Sequence, residues 1–262
     1  MRPLVAACAC LLLAVSCSSQ KQASPPPAHP SSPAATSPTP TPTTEVSPSP
    51  SKPPQESILG PGEHGIEANG AKLQVWHKPS GSKPPKESVK TVNPLGQDIT
   101  MLVDEAKKQG AKTWLRVYLP DRPNESEGWV RESDVKVVKL HERIKIDLSK
   151  YRLWYYRDDK LVDSFKVGIG RNIWPTPTGT YYVWARVPQA SPTGPYGAFA
   201  VGLSGFSPVL SEWPGGGRVA IHGTANPADP GHKVSHGCIR VFNKNVVELR
   251  HVPMGTPVVI QK

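Results

Sequence analysis

The sequence predicts a mainly β protein with two folded parts behind a leader and a tether. Three observations carry that prediction. Apolar and polar residues alternate at period two in short runs, as in Lys112-Thr113-Trp114-Leu115-Arg116-Val117-Tyr118, the pattern of a half-buried strand. Clusters of Gly, Pro, Asn, Asp and Ser separate these runs as turns. A single short stretch, Lys244 to Leu249, reads as helix, with Asn243 placed to cap it. The chain of 262 residues is long enough for two modest domains and too short for three.

At the N-terminus, Arg2 precedes an apolar run from Leu4 to Val15. That run is too short to cross a bilayer as a helix. It ends in Leu13-Ala14-Val15-Ser16-Cys17, which resembles a bacterial lipoprotein signal, with small residues before a cysteine that becomes lipidated. An ordinary cleaved signal peptide is the simpler alternative. The lipoprotein resemblance implies a signal over residues 1–17, a lipid on Cys17 and a membrane anchor. It places the protein outside the cytoplasm, facing the cell wall. Cys8 and Cys10 then depart with the signal, and Cys238 is the one free thiol left. An unpaired cysteine in an exported protein marks a candidate reactive group.

Residues 18–57 form the tether, with twelve prolines among Ser, Thr and Ala. Proline favours polyproline II at about 3.1 Å per residue, so forty residues reach on the order of 100 Å. The formal net charge of +10 suits an anionic membrane face or an acidic wall polymer. Nucleic acid is not expected as a partner: paired zinc-finger cysteines, a basic heptad helix and an aromatic ribonucleoprotein motif are all missing.

Residues 58–139 read as short strands. Ala71 to Trp76 alternates, Lys112 to Tyr118 follows, and a polar turn leads into Gly128-Trp129-Val130-Arg131 before Asp134 to Val138. The order of these pieces resembles a bacterial SH3-like barrel. The resemblance implies a wall-binding module, although a fold does not by itself assign a ligand. Trp114 and Trp129 are expected in the core of this barrel.

Residues 140–262 change grammar. Strands are predicted at Ile144 to Leu148, Arg152 to Tyr156, Leu161 to Val167, Tyr181 to Trp184, Val219 to Ile221 and Pro257 to Ile260. Val187 to Gly217 is rich in Pro, Gly and Ser, too long for an idle loop, so a flap or a partly stranded segment is expected.

The chemistry gathers near the C-terminus, in Ile221-His222-Gly223-Thr224 and Ser235-His236-Gly237-Cys238-Ile239-Arg240. A cysteine attacks as thiolate, and a nearby imidazole favours the thiolate–imidazolium pair. The same imidazole can protonate a leaving amine. Gly237 gives the backbone freedom to expose Cys238. These residue types support acyl transfer through a thioester and do not name a substrate. Zinc binding by His222, His232, His236 and Cys238 is the rival reading, but their spacing matches no familiar zinc site. No metal or cofactor is expected. A buried core cysteine is the bland alternative.

The two motifs resemble the catalytic signature of bacterial L,D-transpeptidases. Gly168-Ile169-Gly170 and Pro175-Thr176-Pro177-Thr178-Gly179 are similar to that family's other recurrent stretches. The resemblance implies a β-sandwich catalytic domain with a short helix. It implies thiolate attack on a peptidoglycan stem tetrapeptide, loss of D-alanine, and resolution by a neighbouring stem's amine to give a 3→3 cross-link. Cys238 then matches the nucleophile and His222 the base, with the Gly223 carbonyl holding the other ring nitrogen. His236 shapes the pocket. The N–H groups of Gly237 and Cys238 serve the oxyanion. Arg240 holds a substrate carboxylate or braces the loop, and it stands where a strict form of the motif has asparagine. Ser235, Thr224, Tyr196 and Trp213 complete the expected substrate contacts, the last two as flap anchors or ordinary packing. Stem peptides and carbapenem-type inhibitors are the implied partners. A cysteine hydrolase on the same scaffold and a non-catalytic, lipid-anchored wall-binding protein are the rival functions.

Overall fold

The structure is a computed structural model, and it describes residues 62–80, 85–212 and 215–262. The Cys17 and Trp213 assignments, the signal and the tether lie outside the described residues.

The first sheet is built from β1 (His64–Ala68), β4 (Met101–Gln109), β5 (Lys112–Tyr118), β6 (Glu127–Arg131) and β7 (Val135–Lys139), in the order β6-β5-β4-β1-β7. All its pairings are antiparallel. The hairpin of β2 (Lys72–Val75) and β3 (Glu87–Lys90) is joined to β6 by reciprocal backbone bonds of 2.8 Å between Trp76 and Trp129. In β5 the alternation read from the sequence holds from Leu115 to Tyr118, but Trp114 breaks it: it is buried next to Leu115, so both faces of the strand are covered there. Trp76 stands edge-on to Trp114 at 5.3 Å and is 5% exposed. Trp129 is half-buried, with Arg116 over its ring. The expected core pair is corrected accordingly: Trp76 is the partner of Trp114, because it directly follows β2 and is bridged to Trp129 of β6.

The second sheet takes β8 (Glu142–Asp147), β9 (Arg152–Arg157), β10 (Lys160–Lys166), β12 (Gly179–Pro188), β13 (Phe199–Phe206), β14 (Arg218–Thr224), β16 (Ile239–Phe242) and β17 (Pro257–Gln261). Their order is β10-β9-β8-β17-β12-β13-β14-β16. Two short strands, β11 (Ile169–Gly170) and β15 (Lys233–Ser235), pair with one another. Past the β10 edge the chain reaches the opposite edge: Gly168 and Arg240 exchange backbone bonds of 2.7 and 2.8 Å. The eight strands therefore curl around one core, in which Ile144, Leu153, Val201, Ile221 and Val241 share a cluster. Burial of such a core is the main stabilising term of the fold.

The Val187 to Gly217 segment contains β13, eight residues long. Its glycines disguise it as a loop. At Gly205 a Cβ would lie 2.4 Å from the Tyr181 ring, so the strand passes an aromatic face that leaves no room for a side chain. Helix α1 (Asn243–Glu248) forms where the sequence predicts it, but Phe242 is its N-cap. Asn243 does not cap it: its Oδ1 accepts from the Ala198 N–H at 2.8 Å and its Nδ2 donates to the Pro192 carbonyl at 2.7 Å. It ties down the chain that carries Tyr196.

Candidate active site

Strand alternation assembles the site. β14 and β16 run parallel in the register Ile221–Ile239 and His222–Arg240. Val219, Ile221, Ile239 and Val241 face the core. The opposite face therefore carries Ala220, His222 and Thr224 from one strand and Arg240 from the next. Cys238 stands one residue before β16, beside Ala220, whose backbone hydrogen-bonds to it. The periodicity that fills the core thus brings His222 and Cys238 onto neighbouring positions of the same sheet edge.

His222 is 3% exposed. Its Nδ1 donates to the Gly223 carbonyl at 2.9 Å. A carbonyl only accepts, so the proton is assigned to Nδ1 and Nε2 is the bare base. The Tyr196 ring stands edge-on to the imidazole at 5.2 Å, and the Tyr196 carbonyl accepts the Gly223 N–H at 3.0 Å. Tyr196 is thus packed against His222 and fixes the backbone that sets its tautomer. Burial lowers the His222 pKa to about 4, against the raising effect of the Gly223 bond. Burial pushes the Cys238 thiol up, and the Ala220 bond and Arg240 oppose it less strongly. Both shifts favour a neutral thiol and a neutral imidazole at pH 7. The thiolate–imidazolium pair expected from the sequence therefore carries a burial penalty, which is largest at His222.

A stability test follows from the same burial. The unfolded imidazole binds a proton below about pH 6.5, whereas the folded one does so only near pH 4. Between those values the unfolded state holds more protons, so stability falls as pH falls. The interval corresponds to roughly 3 kcal/mol. Urea midpoints at pH 7 and pH 5 are expected to differ more in the wild type than in His222→Gln. Equal differences would rule out His222 as their source.

The loop before Cys238 is tied by Ser235, 1% exposed. Its Oγ donates to the Cys238 carbonyl at 2.5 Å and accepts the Gly237 N–H at 3.1 Å. Gly237 has φ +117, a conformation that side chains disfavour. Ser235 thus braces the loop, and the Gly237 N–H is bonded to it.

Thr224 is likewise bonded within the protein. Its hydroxyl donates to Asp229 Oδ2 at 2.6 Å and accepts the Asn226 N–H at 3.1 Å. Asp229 is 3% exposed and also receives Asn226 Nδ2 at 3.1 Å and Arg240 Nη1 at 3.2 Å. Arg240 therefore braces the loop, and the buried charge on Asp229 is paired and hydrogen-bonded as burial demands. Sequence reasoning missed Asp229. Its signal was the Thr224, Asn226, Asp229 spacing between the two motifs, a cluster of side chains that bond to local backbone.

His236 stacks on Trp174 at 4.1 Å with the planes tilted by 32°. The Arg171 guanidinium lies 4.6 Å from the indole centroid and within 3.4 Å of His236 Nε2, and the Arg171 backbone N–H donates to the Ser235 carbonyl at 3.0 Å. His236 is thus a wall of the cleft, held by residues the sequence reading did not single out. Among the described residues, no group of three His, Cys, Asp or Glu side chains is placed to hold a metal ion.

Residues 141–260 match the family model described as the L,D-transpeptidase catalytic domain, YkuD. The chain is 35% identical over 120 residues to "Putative L,D-transpeptidase YkuD" of Bacillus subtilis (strain 168), covering 45% of this chain and 65% of that protein. It is 33% identical over 137 residues to "Probable L,D-transpeptidase ErfK/SrfK" of Escherichia coli (strain K12), covering 46% of this chain and 44% of the relative. Among solved structures, the catalytic domain of the E. faecium L,D-transpeptidase acylated by ertapenem is 28% identical, covers 47% of this chain and 98% of that one, and has a TM-score of 0.36. The matched stretch contains both motifs and every site residue described above, so residues 141–260 are the part of this chain similar to the L,D-transpeptidase catalytic domain.

Proposed function

We propose that this protein is a peptidoglycan L,D-transpeptidase that forms 3→3 cross-links through a Cys238 thioester. The observation that supports it most is the His222 Nδ1 bond to the Gly223 carbonyl at 2.9 Å, which leaves Nε2 as a base on the strand beside Cys238. As the sulfur attacks the carbonyl between the third stem residue and D-alanine, His222 takes the thiol proton. The Cys238 N–H stabilises the oxyanion. Collapse breaks the C–N bond, His222 returns its proton to the departing amine, and D-alanine leaves. The side-chain amine of a second stem then attacks the thioester, gives its proton to His222, and expels the sulfur, which recovers that proton.

In this reading the lipid on Cys17 anchors the chain outside the cytoplasm. Residues 18–57 span the gap to the wall, and residues 58–139, the SH3-like module, engage it. The match to a family of which one member was studied as its ertapenem adduct supports acylation of Cys238 by carbapenems.

Purified protein incubated with tetrapeptide muropeptides is expected to yield 3→3 dimers and free D-alanine, read by mass spectrometry. Tripeptide product without dimers would replace the transferase with the hydrolase. Wall binding without either product would leave only the non-catalytic reading.

A further inference from the structure

The β5–β6 connection, residues 119–126, reaches out of the first sheet onto the second. Arg122 donates from Nη1 to the Ser207 carbonyl at 3.0 Å, and from Nη2 to those of Leu210 at 3.0 Å and Gly216 at 2.9 Å. Its guanidinium lies 4.6 Å over the Phe206 ring. Asn124 grips Phe206 on both sides: Nδ2 donates to its carbonyl at 2.8 Å and Oδ1 accepts its N–H at 2.8 Å. A bond also runs the other way, from Arg218 Nη2 to the Pro120 carbonyl at 3.1 Å. A planar guanidinium can hold three carbonyls at once because its donors are fixed in a fork.

These bonds end at the wall of the Cys238 loop. A Cβ built on Gly237 would lie 3.9 Å from Ser207 Cβ and Oγ, and 3.4 Å from the Pro175 carbonyl. Ser207 in turn starts the gripped segment: its N–H donates to the Gly217 carbonyl at 2.7 Å and its Oγ accepts the Leu210 N–H at 3.2 Å.

We propose that Arg122 and Asn124 are positioning residues of the Cys238 site. They are side chains of the first sheet that hold Phe206 and Ser207 as a fixed wall beside Gly237. The first sheet is then part of the acyl-transfer apparatus and more than a docking module. For its kinetic readout this inference rests on the proposed acyl transfer.

The test compares the full chain with Arg122→Gln and Asn124→Ala, each checked by thermal unfolding. A wall displaced by about 1 Å lowers kcat/KM for the stem-peptide donor about tenfold to a hundredfold. The expected loss falls mainly on KM. Alkylation of Cys238 by iodoacetamide is expected to stay within about twofold, because a small reagent does not need the wall. Backbone amide exchange at Ser207, Leu210 and Gly217 is expected to accelerate in both variants. Unchanged exchange, or faster exchange with unchanged kinetics, overturns the inference. An equal fall in alkylation also overturns it, because the damage would then be general. If the wild type turns over no stem peptide, the acyl-transfer reading falls by itself. Exchange at Gly237 and Cys238 then decides: faster in the variants, the positioning role stands; unchanged, it falls.

Discussion

Cys238→Ala is expected to bring D-alanine release and dimer formation down to background, a loss on the order of 10⁶-fold, the scale on which removing a covalent nucleophile acts. The carbapenem mass adduct disappears with it. The fold is expected to survive. Cys238 is half-buried, and the bonds that shape its loop come from Ser235 Oγ and the backbone, not from the sulfur. Cys238→Ser separates nucleophile from geometry. The hydroxyl occupies the same place, but a neutral imidazole whose pKa is lowered to about 4 is too weak a base to activate an alcohol. The serine variant should therefore bind muropeptides and turn none over. If either variant retained cross-linking activity, another residue would carry the chemistry.

Much of this site was legible in the sequence because its logic is one-dimensional. Val219, Ile221, Ile239 and Val241 alternate with Ala220, His222, Cys238 and Arg240, so naming the core face names the chemical face. The bond of His222 to the Gly223 carbonyl was expected from the family resemblance, and the structure shows it at 2.9 Å. What was not legible depends on contacts between distant segments. β4, the longest strand of the first sheet, begins Met101-Leu102-Val103 and then turns charged, a pattern without alternation. Its residues are placed by pairing with β1 and β5 on either side. β13 hides among glycines because the Tyr181 ring at Gly205 and Ala185 at Gly202 fill the space that side chains would take. The internal bonds of Ser235 and Thr224 were not legible either, because exposure and partner, rather than residue type, decide what a hydroxyl meets. The burial of His222 that opposes its charging cannot be read from spacing. Asp229 and Arg122 act across turns or between sheets, where sequence distance carries no information.

The burial of His222, which holds its imidazole neutral well below pH 6.5, sets a second large effect. His222→Ala removes the base that must take the thiol proton during attack, and general-base catalysis of this kind contributes about 10²- to 10⁴-fold. The shape of the pH profile distinguishes this from a packing defect. In the wild type the active form is neutral imidazole with neutral thiol. The acid limb of kcat/KM should then fall near pH 4, where His222 is protonated, and not near 6.5. The alkaline limb should lie above the ordinary thiol range, since burial raises Cys238. Between them the rate is flat. In His222→Ala the proton has no internal acceptor, so only the preformed thiolate reacts. Its rate should climb about tenfold per pH unit through neutrality, and iodoacetamide alkylation should follow the same slope. A wild-type profile that bends at pH 6.5, or a His222→Ala profile that stays flat at reduced height, would show that the imidazole packs the site without moving the proton.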